Sequence, residues 1–140
     1  MNERLLERFV KYAKVNTRSD MNSQTVPTTY SQVEFALKLA EELKEIGLKE
    51  VKKKKKNGFV TATLPSNLQH KVPTIGFIAH IDTADFNAEN IQPQVHTNYD
   101  GQDILLNEKL GIVMSTTEFP QLANYVGKTV ITTDGTTLLG

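Results

Sequence analysis

Residues 73–86 read Pro-Thr-Ile-Gly-Phe-Ile-Ala-His-Ile-Asp-Thr-Ala-Asp-Phe. Ile75, Phe77, Ile78 and Ala79 form a short apolar run with β-branched and aromatic members, fenced by Pro73. Such a run is too short for a confident helix and predicts a strand buried on both faces. His80 and Asp82 follow at its carboxyl end, where ligands bind in open α/β sheets. Residues two apart in a strand share a side, so a strand continuing through Ile81 would turn His80 and Asp82 the same way.

The pair has specific chemistry. A neutral imidazole is a good zinc ligand. A carboxylate two residues away could orient that ligand, tune a metal-bound water or bind the metal itself. The plain alternative is a satisfied surface pair, since His-x-Asp occurs often by chance.

The surrounding chain is expected to supply helices and further strands. Asn2 to Lys14 repeats Leu5, Leu6, Phe9, Val10, Tyr12 and Ala13 at helical spacing, with Asn2 as a candidate N-cap. Residues 16–29 are polar and aperiodic and read as a loop. Ser31-Gln32-Val33-Glu34 matches a capping box and opens a helix whose apolar face is Val33, Ala36, Leu37, Ala40, Leu43 and Ile46. Gly47 supplies the left-handed stop. Lys52 to Lys56 is a run of five lysines. It reads either as a polyanion-binding patch or as a solvated edge strand or hairpin, with Asn57-Gly58 as the turn; the second reading is favoured. Phe59 to Leu64 alternates like a strand. Residues 94–97, 112–115 and 129–133 predict short strands, 98–101 and 134–135 turns, and 119–127 a short helix or turn.

Composition narrows the classes. The chain has 140 residues, 16 Lys plus Arg, 16 Asp plus Glu and no cysteine. A formal charge of zero argues against general affinity for nucleic acid or membrane. Disulfides and thiolate zinc sites are excluded. No apolar run approaches the ~20 residues of a membrane span, and the amino end shows no signal-peptide pattern. A cytoplasmic protein is expected.

Gly76 to Thr83 resembles the metal-binding strand end of the co-catalytic zinc aminopeptidases and carboxypeptidases. The match is nearest to the peptidase T family of tripeptide aminopeptidases. It extends through Leu5 to Phe9, Ala62 to Pro65, Asn98-Tyr99, Gly101 to Ile104, and Thr132 through Thr137 to Gly140. The resemblance implies an α/β fold of zinc-exopeptidase type, with a mixed sheet flanked by helices. It makes His80 a zinc ligand and gives Asp82 the catalytic role of orienting a metal ligand. It implies two zinc ions per complete site, with the bridging Asp, the general-base Glu and the other ligands beyond Gly140. Residues 1–140 would then be the N-terminal portion of the catalytic domain, without its remainder or the lid domain.

The implied activity is release of the N-terminal residue from tripeptides by the complete enzyme, acting on short peptides. The chain alone is expected to be inactive and to hold zinc weakly. Asp82, His96 and Asp134 are the only nearby candidates to supplement His80, and none matches a ligand position. His96 is a candidate from composition alone. The alternatives are a zinc amidohydrolase or dipeptidase of the same clan, or a non-catalytic polyanion-binding or assembly module using Lys52 to Lys56.

Overall fold

A computed structural model describes residues 2–54 and 56–137. The capping side chain of Asn2, Lys55 of the lysine run, and the Leu138-Leu139-Gly140 ending lie outside what is described. The chain divides into two compact units.

One unit comprises Met1–Asn16 and Phe86–Gly140. It opens with helix α1, Asn2–Ala13. Leu6, Val10 and Ala13 recur along one face and are half-buried, whereas Leu5 and Phe9 are exposed. The rest of the unit is built on antiparallel strand pairs.

Gln94–His96 pairs with Val130–Thr132, and Ile104–Asn107 pairs with Ile112–Met114. A 3-10 helix, Pro120–Tyr125, lies between the last two of these strands in sequence. Tyr99, Ile104, Leu106 and Leu122 form a buried cluster, with Ile112, Met114 and Val130 packed against it. Removing such side chains from water supplies the drive for packing. The strand at Ile104–Asn107 has no counterpart in the sequence reading. Its Ile-Leu-Leu-Asn alternates buried Ile104 and Leu106 with less buried Leu105 and Asn107, but apolar Leu105 between them hides that alternation in the sequence.

The other unit spans Thr17–Asp85. Its helix α2, Tyr30–Ile46, ends on Gly47 at φ 101°, the left-handed cap expected there. Its start lies two residues upstream of the expected one. Thr29 is the N-cap and Gln32, not Glu34, is the returning side chain, its Oε1 accepting from Thr29 N at 3.4 Å. Thr29-Tyr30-Ser31-Gln32 satisfies the same box pattern as Ser31 to Glu34, and Gln32 has further partners that fix the earlier register. The buried stripe is Gln32, Phe35, Ala36 and Ala40. Leu37 and Ile46 of the expected face are exposed.

The helix packs on a hairpin of β1, Lys49–Lys53, and β2, Val60–Thr63. The hairpin reading of the lysine run therefore holds. Lys54 N donates to Phe59 O at 2.8 Å and closes the loop, and Gly58 takes φ +70°.

The expected mixed sheet is not present among the described residues. The named strands form three two-stranded antiparallel sheets. The expected central strand over Ile75 to Ala79 is absent as well, and this is the main correction. Residues 71–80 carry no regular structure and are exposed throughout, with Phe77 at 94% and Ile78 at 101%. A strand buried on both faces needs hydrogen-bonding neighbours at its edges and apolar layers above and below. The described residues place neither against this segment. Helices and strands are both present, as an α/β reading requires. No helix among the described residues is long and apolar enough to cross a membrane.

Candidate functional site

His80 and Asp82 come together although the strand that was to present them does not form. His80 Nδ1 lies 3.3 Å from Asp82 Oδ1. An ionised carboxylate only accepts, so this contact has Nδ1–H donating. The lone pair then sits on Nε2. The His80 side chain is 82% exposed and that of Asp82 50%, so Nε2 is accessible from solvent. A metal-binding histidine commonly has this arrangement, one ring nitrogen held by a carboxylate and the other free to ligate.

What fixes Asp82 is a polar loop that the sequence leaves featureless. Ser19 Oγ donates to Asp82 Oδ2 at 3.0 Å. Thus one carboxylate oxygen serves His80 and the other Ser19. The Ser19 hydroxyl holds the Asp82 carboxyl below its usual range, with smaller help from its own backbone amide and from His80, against a partial desolvation that raises it.

Residues 17–21 are fastened to 82–85 by backbone as well. Ser19 N donates to Thr83 O at 2.9 Å and Thr83 N to Thr17 O at 3.1 Å, a parallel bridge between Arg18 and Thr83. Arg18 Nε reaches Asp85 Oδ1 at 2.7 Å and Met21 N reaches Asp85 Oδ2 at 3.2 Å.

Behind the loop stands Gln32, which is 4% exposed. Its Nε2 donates to Thr17 O at 3.1 Å, Arg18 O at 3.3 Å and Ser19 Oγ at 3.2 Å. Its Oε1 accepts from Thr28 N at 3.1 Å and from Thr29 N at 3.4 Å. Sequence reasoning missed both Ser19 and Gln32. The available signal was the Thr29-x-x-Gln32 box, which places Gln32 in the first turn of α2, beside the loop that precedes it.

The remaining candidates have other occupations. His96 Nε2 lies 3.0 Å from Thr132 Oγ1, across the pairing of their two strands. Asp134 accepts from Thr136 Oγ1 at 2.7 Å and from its amide at 3.0 Å, which together hold its carboxyl below the usual range. His70 is exposed. A recess of about 360 Å³ beside Tyr99 and Asp103 contains neither His80 nor Asp82.

Among the described residues no three His, Cys, Asp or Glu side chains group to hold a metal ion. Catalytic zinc is held by three protein ligands plus water. The donor set here fits one ligand, His80, with its orienting carboxylate, and does not by itself complete a site.

Comparison with known proteins bears on the same residues. No family model matches the chain. It is 59% identical over 141 residues to "Peptidase T" of Bacillus licheniformis, covering 100% of this chain and 34% of that protein. It is 60% identical to "Peptidase T" of Fusobacterium nucleatum, over 97% of this chain and 33% of that protein. The match to "Peptidase T" of Caldanaerobacter subterraneus is 57% over 98% of this chain. The chain thus spans about a third of the length of the curated relatives it matches. By sequence it is a relative of peptidase T along its whole length.

Proposed function

We propose, proceeding from that relationship, that the chain is the N-terminal portion of the catalytic domain of a zinc-exopeptidase-type enzyme. This enzyme releases the N-terminal residue from tripeptides. The observation that carries the reading is the His80–Asp82 contact, which leaves Nε2 of His80 facing solvent, in a chain that matches peptidase T from end to end.

In this reading His80 is a zinc ligand, and Asp82 holds its imidazole in the ligating tautomer. When bound, a pair of zinc ions supplies polarisation of the scissile carbonyl and a nucleophile near neutral pH. The residues of this chain contribute orientation. Asp82 keeps the Nδ1 proton in place and fixes the direction of the ring, while Ser19 keeps Asp82 from turning away. The other ligands, the general base and the lid belong to the part of the longer protein that follows Gly140. Its substrates are short peptides, and its compartment is the cytoplasm.

The test is release of the N-terminal residue from a tripeptide by the longer protein, before and after removal of metal with a chelator. Release that is lost on chelation and restored by zinc supports the proposal. Release unaffected by chelation contradicts it, as does preference for dipeptides or N-acyl amino acids over tripeptides. The 140-residue chain alone should release nothing and bind zinc weakly, since one imidazole cannot fix the geometry of the ion.

A further inference from the structure

We propose that Ser19 and Gln32 are positioning residues for His80, acting through Asp82 to set which ring nitrogen carries the proton. The hydrogen bonds form one directed chain. Gln32 Nε2 donates to Ser19 Oγ at 3.2 Å, Ser19 Oγ donates to Asp82 Oδ2 at 3.0 Å, and Asp82 Oδ1 accepts from His80 Nδ1 at 3.3 Å.

Each link has a fixed direction. An amide NH2 only donates, and a carboxylate only accepts. The Ser19 hydroxyl, offered a donor by Gln32, has its one proton left for Asp82. The tautomer of a histidine follows from the bond its other nitrogen makes. An Asp82 fixed by Ser19 therefore leaves His80 protonated at Nδ1 and open at Nε2.

The far end of the chain is the rigid one. Gln32 is buried in the first turn of α2, its Oε1 held by the amides of Thr28 and Thr29. Asp82 and His80 are largely exposed and sit in a segment without regular structure. An exposed histidine in such a segment has little else to select one tautomer or one direction. The Ser19 hydroxyl is thus the joint between a buried anchor and an exposed imidazole.

This inference rests on the reading of His80 as a metal ligand for its importance. Its test uses neither metal nor peptide, so the two can fail separately. The neutral imidazole nitrogens of the 140-residue chain are to be observed by 15N NMR, above the pH at which the ring is protonated. The chain has three histidines, and His96, bonded to Thr132, is an internal reference.

The expected result is a dominant Nδ1–H form of His80 in the wild type and in Ser19→Thr, which keeps the hydroxyl. That dominance should be lost in Ser19→Ala and reduced in Gln32→Met. The amide of Thr83, bonded to Thr17 O, should stay protected from exchange in the Ser19 variants. A dominant Nε2–H form in the wild type overturns the proposal. So does an unchanged His80 in Ser19→Ala. Loss of Thr83 protection in Ser19→Ala also overturns it, because Ser19 would then hold the loop rather than aim the histidine.

Discussion

Arg18 Nε donates to Asp85 Oδ1 at 2.7 Å across 67 residues of sequence, and the same carboxylate accepts the Met21 amide at 3.2 Å. This clasp, with the Arg18–Thr83 bridge beside it, holds the loop after α1 against the segment carrying His80 and Asp82.

The clasp should open in acid. The Arg18 guanidinium, and next the Met21 amide, hold the Asp85 carboxyl below its usual range. A group with a depressed folded pKa contributes stability that is fully present above its unfolded value and lost as pH falls through the folded one. The Asp82 carboxyl is depressed too and acts in the same direction. Protection of the Ser19 and Thr83 amides, relative to their intrinsic exchange rates, should therefore be constant from neutrality down to the ordinary carboxylate range and fall below it. Exchange that is slower in acid, once corrected for intrinsic rates, would contradict the clasp.

Gly58→Ala should destabilise the hairpin unit. Gly58 sits at φ +70°, where a side chain costs about 1–2 kcal/mol. An added Cβ would lie 2.5 Å from Cγ of Pro27, so a neighbour must move as well. The expected result is a melting temperature lower by several degrees; an unchanged one would show that the loop can take another turn. Gly47→Ala is a useful partner, since its Cβ would meet nothing within 4 Å and only the backbone cost remains.

Replacing Phe77 with Ser and Ile78 with Thr should have different effects on stability in two settings. In the 140-residue chain both side chains are in water, so their loss removes an exposed apolar patch and should raise solubility without lowering the melting point. If the longer protein packs this segment into a sheet, as a zinc-exopeptidase-type fold would require, the same change there should cost several kcal/mol, since large-to-small changes in cores cost about 2–5 kcal/mol each. Equal effects in both would refute burial of the segment.

Asp82→Ala in the longer protein should depress turnover more than metal content. A carboxylate that orients a ligand typically contributes about 10–100-fold in affinity or activity. Metal analysis beside tripeptide kinetics checks this, and complete loss of metal would make Asp82 a ligand itself.

The legible parts of the fold are those whose signals are local. Gly47 ends α2 because its own backbone takes the left-handed conformation, and Asn57-Gly58 turns the lysine hairpin for a similar reason. The run Ile75 to Ala79 was misleading in the chain as it stands, because a doubly buried strand depends on neighbours that its own residues cannot supply. The pairing of His80 with Asp82 survived that error, since two residues of separation bring such side chains within reach even in an irregular segment. Ser19 and Gln32 were missed because their partners lie 63 residues away in one case, and 13 to 15 residues back in a loop without periodicity in the other.

Zinc bound per molecule of the longer protein, compared between wild type and His80→Ala at equal free zinc, tests the central claim most directly. A ligand imidazole removed from a co-catalytic site should leave the variant with markedly less bound metal, while Ala in place of the exposed His96 neighbour Val95 leaves it unchanged. Equal zinc in wild type and His80→Ala would show that His80 is not a ligand, and the metallo-aminopeptidase site built on it would fall.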